Sequence, residues 1–155
     1  GTGSQSESMI QPEQLPDRYE SGTANLPGIA GLLVGARFAL SHREEIEQYE
    51  DSLARDLRTR LSALRGVRVL GHPAAPKVGV VSFVPTAMDP GELCDALAHD
   101  GFALRAGLHC APSVHQWLGT LHTGACRASV GIYNTETDVE ALAAAVGRLL
   151  GPDRA

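Results

Sequence analysis

From Arg43 to Leu64 the apolar residues Ile46, Tyr49, Leu53, Leu57, Leu61 and Leu64 recur at spacings of three and four. That period predicts one long helix with a single buried face. The opposite face carries Glu44, Glu45, Arg55, Asp56, Arg58 and Arg60 and reads as a solvated surface. Gly66 ends the helix. A helix with one apolar stripe needs a second layer to cover it. The clearest strand signal is Val78-Gly-Val-Val-Ser-Phe-Val84, rich in β-branched residues.

The remaining segments fall into order around these two. Residues 1–24 are polar and turn-rich, with Pro12 and Pro16, and read as an arm. Asn25 is placed to cap a helix from about Pro27 to Leu40, striped by Ile29, Leu32, Leu33, Ala36 and Ala39/Leu40. Gly28, Gly31 and Gly35 weaken that helix, and close packing against another backbone is the expected reason for them. Val67–Leu70 predicts a short strand, and the turn at Asp89–Pro90 opens a helix that Gly101 stops. Phe102–Arg105 predicts a strand, Pro112–Leu118 a short helix and Arg127–Tyr133 another strand. Thr135 and Asp138 form a capping-box variant before a last helix through Val139, Leu142, Val146 and Leu149. The expected class is α+β, with about four strands in one mixed or mostly antiparallel sheet and helices packed on one face.

Composition narrows the function. The 155 residues suffice for one domain with a real core, or for one piece of a larger enzyme. Hydrophobic residues make up 43%, which argues against disorder, and aromatics only 5%, so Ala, Val, Leu and Ile must fill the core. A net charge of -5 without a basic run argues against nucleic-acid binding. No apolar run approaches the roughly 20 residues of a membrane helix, and no signal-peptide pattern is present. Cys94, Cys110 and Cys126 form no C-x-x-C pair, which disfavours a disulfide framework and fits a reducing cytosol. Gly1-Thr-Gly-Ser4 opens without a Met and reads as the middle of a loop, a tag remnant or a cut from a longer chain.

The chemistry concentrates in Arg105-Ala-Gly-Leu-His-Cys110-Ala-Pro112. An apolar run leads in, Gly107 gives freedom to swing, and a helix start follows. A free cysteine ionises near pH 8.5, so Arg105, His109 and the helix start at Pro112 would each favour the thiolate. The competing reading is a buried structural cysteine, the usual fate of a free thiol. Arg127 offers a planar fork for a carboxylate, against the alternative of a structural ion pair. Arg105 is read as pinning the loop or as a second substrate contact. His109, Cys110, His115, His122 and Cys126 match no common zinc spacing, and no metal site is expected. Cys94 reads as core, and Trp117 as packing the short helix on the sheet.

Three motifs carry a family resemblance. Glu20-Ser-Gly-Thr-Ala-Asn25 with Gly28-Ile-Ala-Gly-Leu32 resembles a segment of class V, fold-type I pyridoxal-phosphate enzymes. Arg105-x-Gly-x-His-Cys110-Ala-Pro is similar to the active loop of their cysteine desulfurases, and Cys126-Arg-Ala-Ser129 with Tyr133-Asn-Thr135 to a block near their C-terminus. The resemblance implies the small C-terminal domain of such an enzyme over 25–155, preceded by a large-domain arm over 1–24. It implies removal of sulfur from L-cysteine to give L-alanine and a persulfide on Cys110, with Arg127 and Arg105 on the substrate. Thr23, with Gly3 and Ser4, would reach the cofactor phosphate across a homodimer interface. A sulfur-acceptor protein, a place in iron–sulfur cluster assembly and a cytoplasmic setting are further implications. Selenocysteine cleavage, a class V aminotransferase or epimerase, and a non-catalytic or zinc-binding fragment remain as alternatives. The one lysine, Lys77, sits in Pro76-Lys-Val-Gly79 and does not match the cofactor lysine of the family. The large domain is therefore expected to be missing, and this chain alone to be inactive.

Overall fold

The computed structural model describes residues 5–20, 22–72, 75 and 78–151. The chain divides into two compact units, Gly1–His42 and Arg43–Ala155. The first unit includes the first helix.

In the first unit, α1 (Leu26–Ser41) is capped by Asn25, whose side chain accepts the Gly28 N–H at 3.1 Å. Pro27 lies in the first turn, where its missing N–H costs no helical bond. None of the residues of α1 is buried. The packing expected of its three glycines is not found among the described residues. Side chains at Gly31 and Gly35 would meet open space, and one at Gly28 would collide only with the Asn25 cap.

The second unit is a four-stranded antiparallel sheet with three helices packed on one face and one short helix on the other. Its elements are α2 (Arg43–Ser62), β1 (Val67–Val69), β2 (Val80–Pro85), α3 (Pro90–His99), β3 (Arg105–Gly107), α4 (Pro112–Leu118), β4 (Ala125–Ser129) and α5 (Glu136–Leu149). The strand order is β1-β2-β4-β3, with every neighbouring pair antiparallel. The expected class and the helical layer are both present.

Strand alternation sorts the side chains. Val81, Phe83, Cys126 and Ala128 face the helices and join Leu53, Leu57, Leu61, Leu93, Leu97, Val139 and Val146 in the main core. The predicted stripe of α2 thus reaches its partner layer through Leu53, Leu57 and Leu61, whereas Tyr49 stays exposed and donates its hydroxyl to the Asn134 carbonyl at 2.7 Å. The opposite sheet face carries Ser82, Arg105 and Arg127, which lie in register on three adjacent strands. A smaller apolar cluster of Leu70, Val84 and Ala125, with Leu118 of α4, anchors that short helix beside them.

Three element limits shift for local reasons. Phe102 was expected to begin a strand, but its N–H caps α3 through the Leu97 carbonyl at 2.9 Å, so the ladder starts only at Arg105. β4 was expected to run to Tyr133, but Gly131 and Asn134 close a turn by two mutual bonds. Leu61 and Arg60 accept the last N–H groups of α2 in a tight final turn, so the helix ends at Ser62, before Gly66. At α5 the expected box is complete: Thr135 accepts from Asp138 N–H, and Asp138 accepts from Thr135 N–H at 2.8 Å.

Candidate active site

The loop between β3 and α4 is pinned at both ends. Gly107 (φ +112°) closes β3, and Gly124 (φ +72°) stands just before β4. A side-chain carbon at Gly124 would lie 2.7 Å from the Gly107 Cα, so two backbones meet here with no room for a methyl group. Gly107 therefore fixes the base of the loop as well as loosening it.

Between these points His109 (φ +51°) and Cys110 (φ +59°) both adopt left-handed backbone. Each such residue costs about 1 kcal/mol in an ordinary chain, and consecutive ones concentrate at functional turns. The Ala111 N–H donates to the Leu108 carbonyl at 2.9 Å and closes the turn. Cys110 is thereby held at the tip and exposed, while Cys94 and Cys126 are buried. The reading of Cys110 as a buried structural thiol is excluded, and that of Cys94 as core stands.

A cleft of about 290 Å³ opens on the uncovered sheet face beside this loop. His109 and Ala111, on either side of Cys110, line it with Arg58, Ser82, His115 and Arg127. No Asp or Glu is among its lining residues. Arg127 occupies the middle strand, with Ser82 opposite it on β2 and Arg105 opposite it on β3. Two arginines directly across a ladder repel one another. Neither has a carboxylate partner among the described residues, and Arg127 Nε is buried without any hydrogen-bond partner there. An unmet buried donor costs on the order of 1–3 kcal/mol. An anion seated against Arg127 would remove both penalties.

His109 departs from expectation. Its Nε2 donates to the Arg105 carbonyl at 3.2 Å, so the ring folds back along the loop. Burial, helped by the nearby charges of Arg127 and Arg105, holds its pKa below the ordinary histidine value of 6.5, against the opposing pull of that hydrogen bond. At neutral pH it is an uncharged imidazole with Nδ1 unprotonated. It cannot favour a thiolate as a cation; it offers a proton acceptor next to Cys110 in sequence.

Two further expectations are corrected. Trp117 does not pack on the sheet: it is 84% exposed, on the outer side of α4. Arg58 is not simply part of a solvated face, because its guanidinium donates to the carbonyls of Leu70 (2.8 Å) and Gly71 and lines the cleft. Ser82, His115 and Thr120 were not singled out for this site. A polar residue inside the apolar run Val80–Val84 was the available signal for Ser82. Among the described residues no group of three His, Cys, Asp or Glu side chains is gathered for a metal ion. Cys126 faces the helices, on the other side of the sheet from the cleft. Its thiol is pushed up by a hydrogen bond to Cys94 and then by burial, which suits a structural role.

Thr23 belongs to the first unit and follows Gly22 (φ +88°) in an exposed bend. Gly3, Ser4 and Lys77 lie outside the described residues. No helix among the described residues is long and apolar enough to cross a membrane.

A Cys-bearing turn and an arginine Nε without a partner among the described residues thus lie on one face of an α+β domain. The family description "aminotransferase class-V" matches residues 2–142, and the chain belongs to that family. A relative named "Probable cysteine desulfurase" from Halalkalibacterium halodurans is 37% identical over 132 residues, 84% of this chain and 32% of its own length. One of the same name from Xylella fastidiosa is 36% identical over 140 residues, covering 88% of this chain and 33% of its own. The apo structure of cysteine desulfurase from Thermococcus onnurineus NA1 superposes with a TM-score of 0.76 at 31% identity, over 87% of this chain and 34% of that one. The cysteine desulfurase CsdA from Escherichia coli does so with a TM-score of 0.73 at 32% identity, over 87% and 33% of the two chains. The chain thus spans about a third of the length of these relatives.

Enzymes of this family work with pyridoxal phosphate. Thr23 is exposed, its hydroxyl has no partner among the described residues, and Gly22 beside it adopts a positive φ of +88°. That donor set fits the phosphate edge of the cofactor.

Proposed function

We propose that this chain is the C-terminal part of a pyridoxal-phosphate-dependent cysteine desulfurase, with Cys110 as nucleophile and Arg127 as the substrate carboxylate anchor. One observation carries the reading: an exposed thiol on a left-handed turn stands beside a cleft that holds a buried arginine Nε without a partner among the described residues. The similarity to cysteine desulfurases along most of this chain supports it. The domain reading is an arm over 1–24 and a small domain over 25–155. Thr23, with Gly3 and Ser4, would hold the cofactor phosphate, and the lysine would come from the missing large domain.

Pyridoxal phosphate, when bound, supplies the electron sink that weakens the substrate C–S bond. Arg127 forks onto the substrate carboxylate and fixes its orientation. The Cys110 S–H bond breaks and its proton passes to neutral His109, the preceding residue of the same loop. The Cys110 thiolate then attacks the substrate sulfur. An S–S bond forms as the C–S bond breaks, and the electron pair stays with the carbon fragment, which is protonated and leaves as L-alanine. The persulfide remains on the exposed turn, where a sulfur-acceptor protein can reach it. A homodimer through Thr23, a role in iron–sulfur cluster assembly and a cytoplasmic setting complete the proposal.

The test uses the full-length enzyme. Cys110→Ala should keep cofactor absorbance and abolish alanine release from L-cysteine. Full activity in that variant sinks the persulfide role. Survival of selenocysteine cleavage alone would favour a selenocysteine lyase, and a keto-acid product an aminotransferase.

A further inference from the structure

We propose that His115, held by Thr120, is the second hydrogen-bond donor of the carboxylate site built on Arg127. The inference rests on the reading of Arg127 as carboxylate anchor. His115 is only 5% exposed, and Thr120 only 2%, yet neither is accounted for by the steps above. The imidazole Nδ1 meets the Thr120 hydroxyl at 2.7 Å. Among the described residues that nitrogen is the hydrogen-bond partner of the buried hydroxyl. A buried hydroxyl needs an acceptor for its proton. Donation from Thr120 to Nδ1 places the ring proton of His115 on Nε2.

Nε2 has no partner among the described residues, and the ring lines the cleft with Arg127. Among the described residues the cleft wall therefore presents two N–H donors without a partner, the buried Arg127 Nε and His115 Nε2, and no acid. Two donors from different elements, α4 and β4, can meet the two oxygens of one carboxylate. The backbone supports this placement, since the Thr120 N–H donates to the His115 carbonyl at 2.8 Å and the Gly124 N–H to the Thr120 carbonyl at 2.8 Å. The same short turn thus ties His115 to the glycine that seats the active loop. His115 would favour amino-acid substrates over amines that lack the carboxylate.

The test is a titration of the full-length holoenzyme with L-alanine, which carries the carboxylate, and with ethylamine, which does not, followed by cofactor absorbance. His115→Phe should weaken L-alanine binding about thirtyfold, within the range for a hydrogen bond to a charged group, and leave ethylamine within about twofold. His115→Gln, whose amide can donate from near the Nε2 position, should restore L-alanine binding to within about threefold. An equal loss for both ligands in His115→Phe would mean a purely structural histidine and overturn the proposal. Unchanged L-alanine binding in His115→Phe, with loss in Arg127→Ala, would overturn it while leaving the Arg127 anchor in place. Unchanged L-alanine binding in Arg127→Ala would remove the anchor and the proposal together.

Discussion

Gly124→Ala tests how the active loop is seated. The new methyl group would stand 2.7 Å from the Gly107 Cα and 2.8 Å from its carbonyl oxygen, both backbone atoms that cannot rotate away. Gly124 also sits at φ +72°, which costs an alanine about 1 kcal/mol. Forced backbone movement in a packed site adds about 1–3 kcal/mol. The expected loss is therefore about 2–4 kcal/mol. Gly119 supplies the control: it has φ +69° but open space where a side chain would go. Gly119→Ala should show the conformational cost alone, about 1 kcal/mol. Urea unfolding of the 155-residue chain measures both. At about 4 °C per kcal/mol for a domain of this size, melting should fall by about 4 °C for Gly119→Ala and by about 8–16 °C for Gly124→Ala. Equal losses in the two variants would refute the claim that backbone contact, and not dihedral preference, fixes the loop.

Other outcomes follow from the same geometry. Iodoacetamide should alkylate Cys110 in the folded chain and reach Cys94 and Cys126 only after unfolding, as read by peptide mass; early labelling of Cys126 would contradict its burial. Leu57→Ala should cost about 2–5 kcal/mol in chemical denaturation, because Leu57 is fully buried between α2 and the sheet. Arg127→Lys in the full-length enzyme should raise the KM for L-cysteine about tenfold or more, since an ammonium cannot fork, with Cys110 alkylation unchanged. His109 resists protonation when folded, so the unfolded chain binds more protons below its ordinary pKa of about 6.5. Its contribution lowers stability as pH falls through that value and levels off below the folded pKa. Urea midpoints at about pH 7.5 and 5.5 should therefore differ less in His109→Gln than in the parent, and an equal difference would refute the shift.

Local chemistry made much of this protein legible in its sequence. The stripe of α2, the Asn25 and Thr135 caps and the β-branched run at Val80–Val84 each specify an element through contacts a few residues apart. Element order followed, and with it the layered class. The motif around Cys110 marked the loop, because a Gly-containing turn before a proline-started helix is a local arrangement. Strand limits were less legible. Phe102 and Gly131 look extended in sequence, and only the α3 cap and the Gly131–Asn134 turn claim their hydrogen bonds.

The cleft itself required the tertiary structure. Sequence alone named Cys110, Arg105 and Arg127 as reactive or charged types, and that identity comes from side-chain chemistry. Antiparallel register placed Arg105, Arg127 and Ser82 side by side, although they come from three separate strands. Packing buried Arg127 Nε without a partner among the described residues and turned Cys126, its immediate neighbour, to the opposite face. It also made His109 harder to protonate than its sequence suggests, since burial and the neighbouring Arg127 and Arg105 are properties of the folded surroundings. Residue type determined what each side chain could do; strand register and burial decided which of them meet, and in what state.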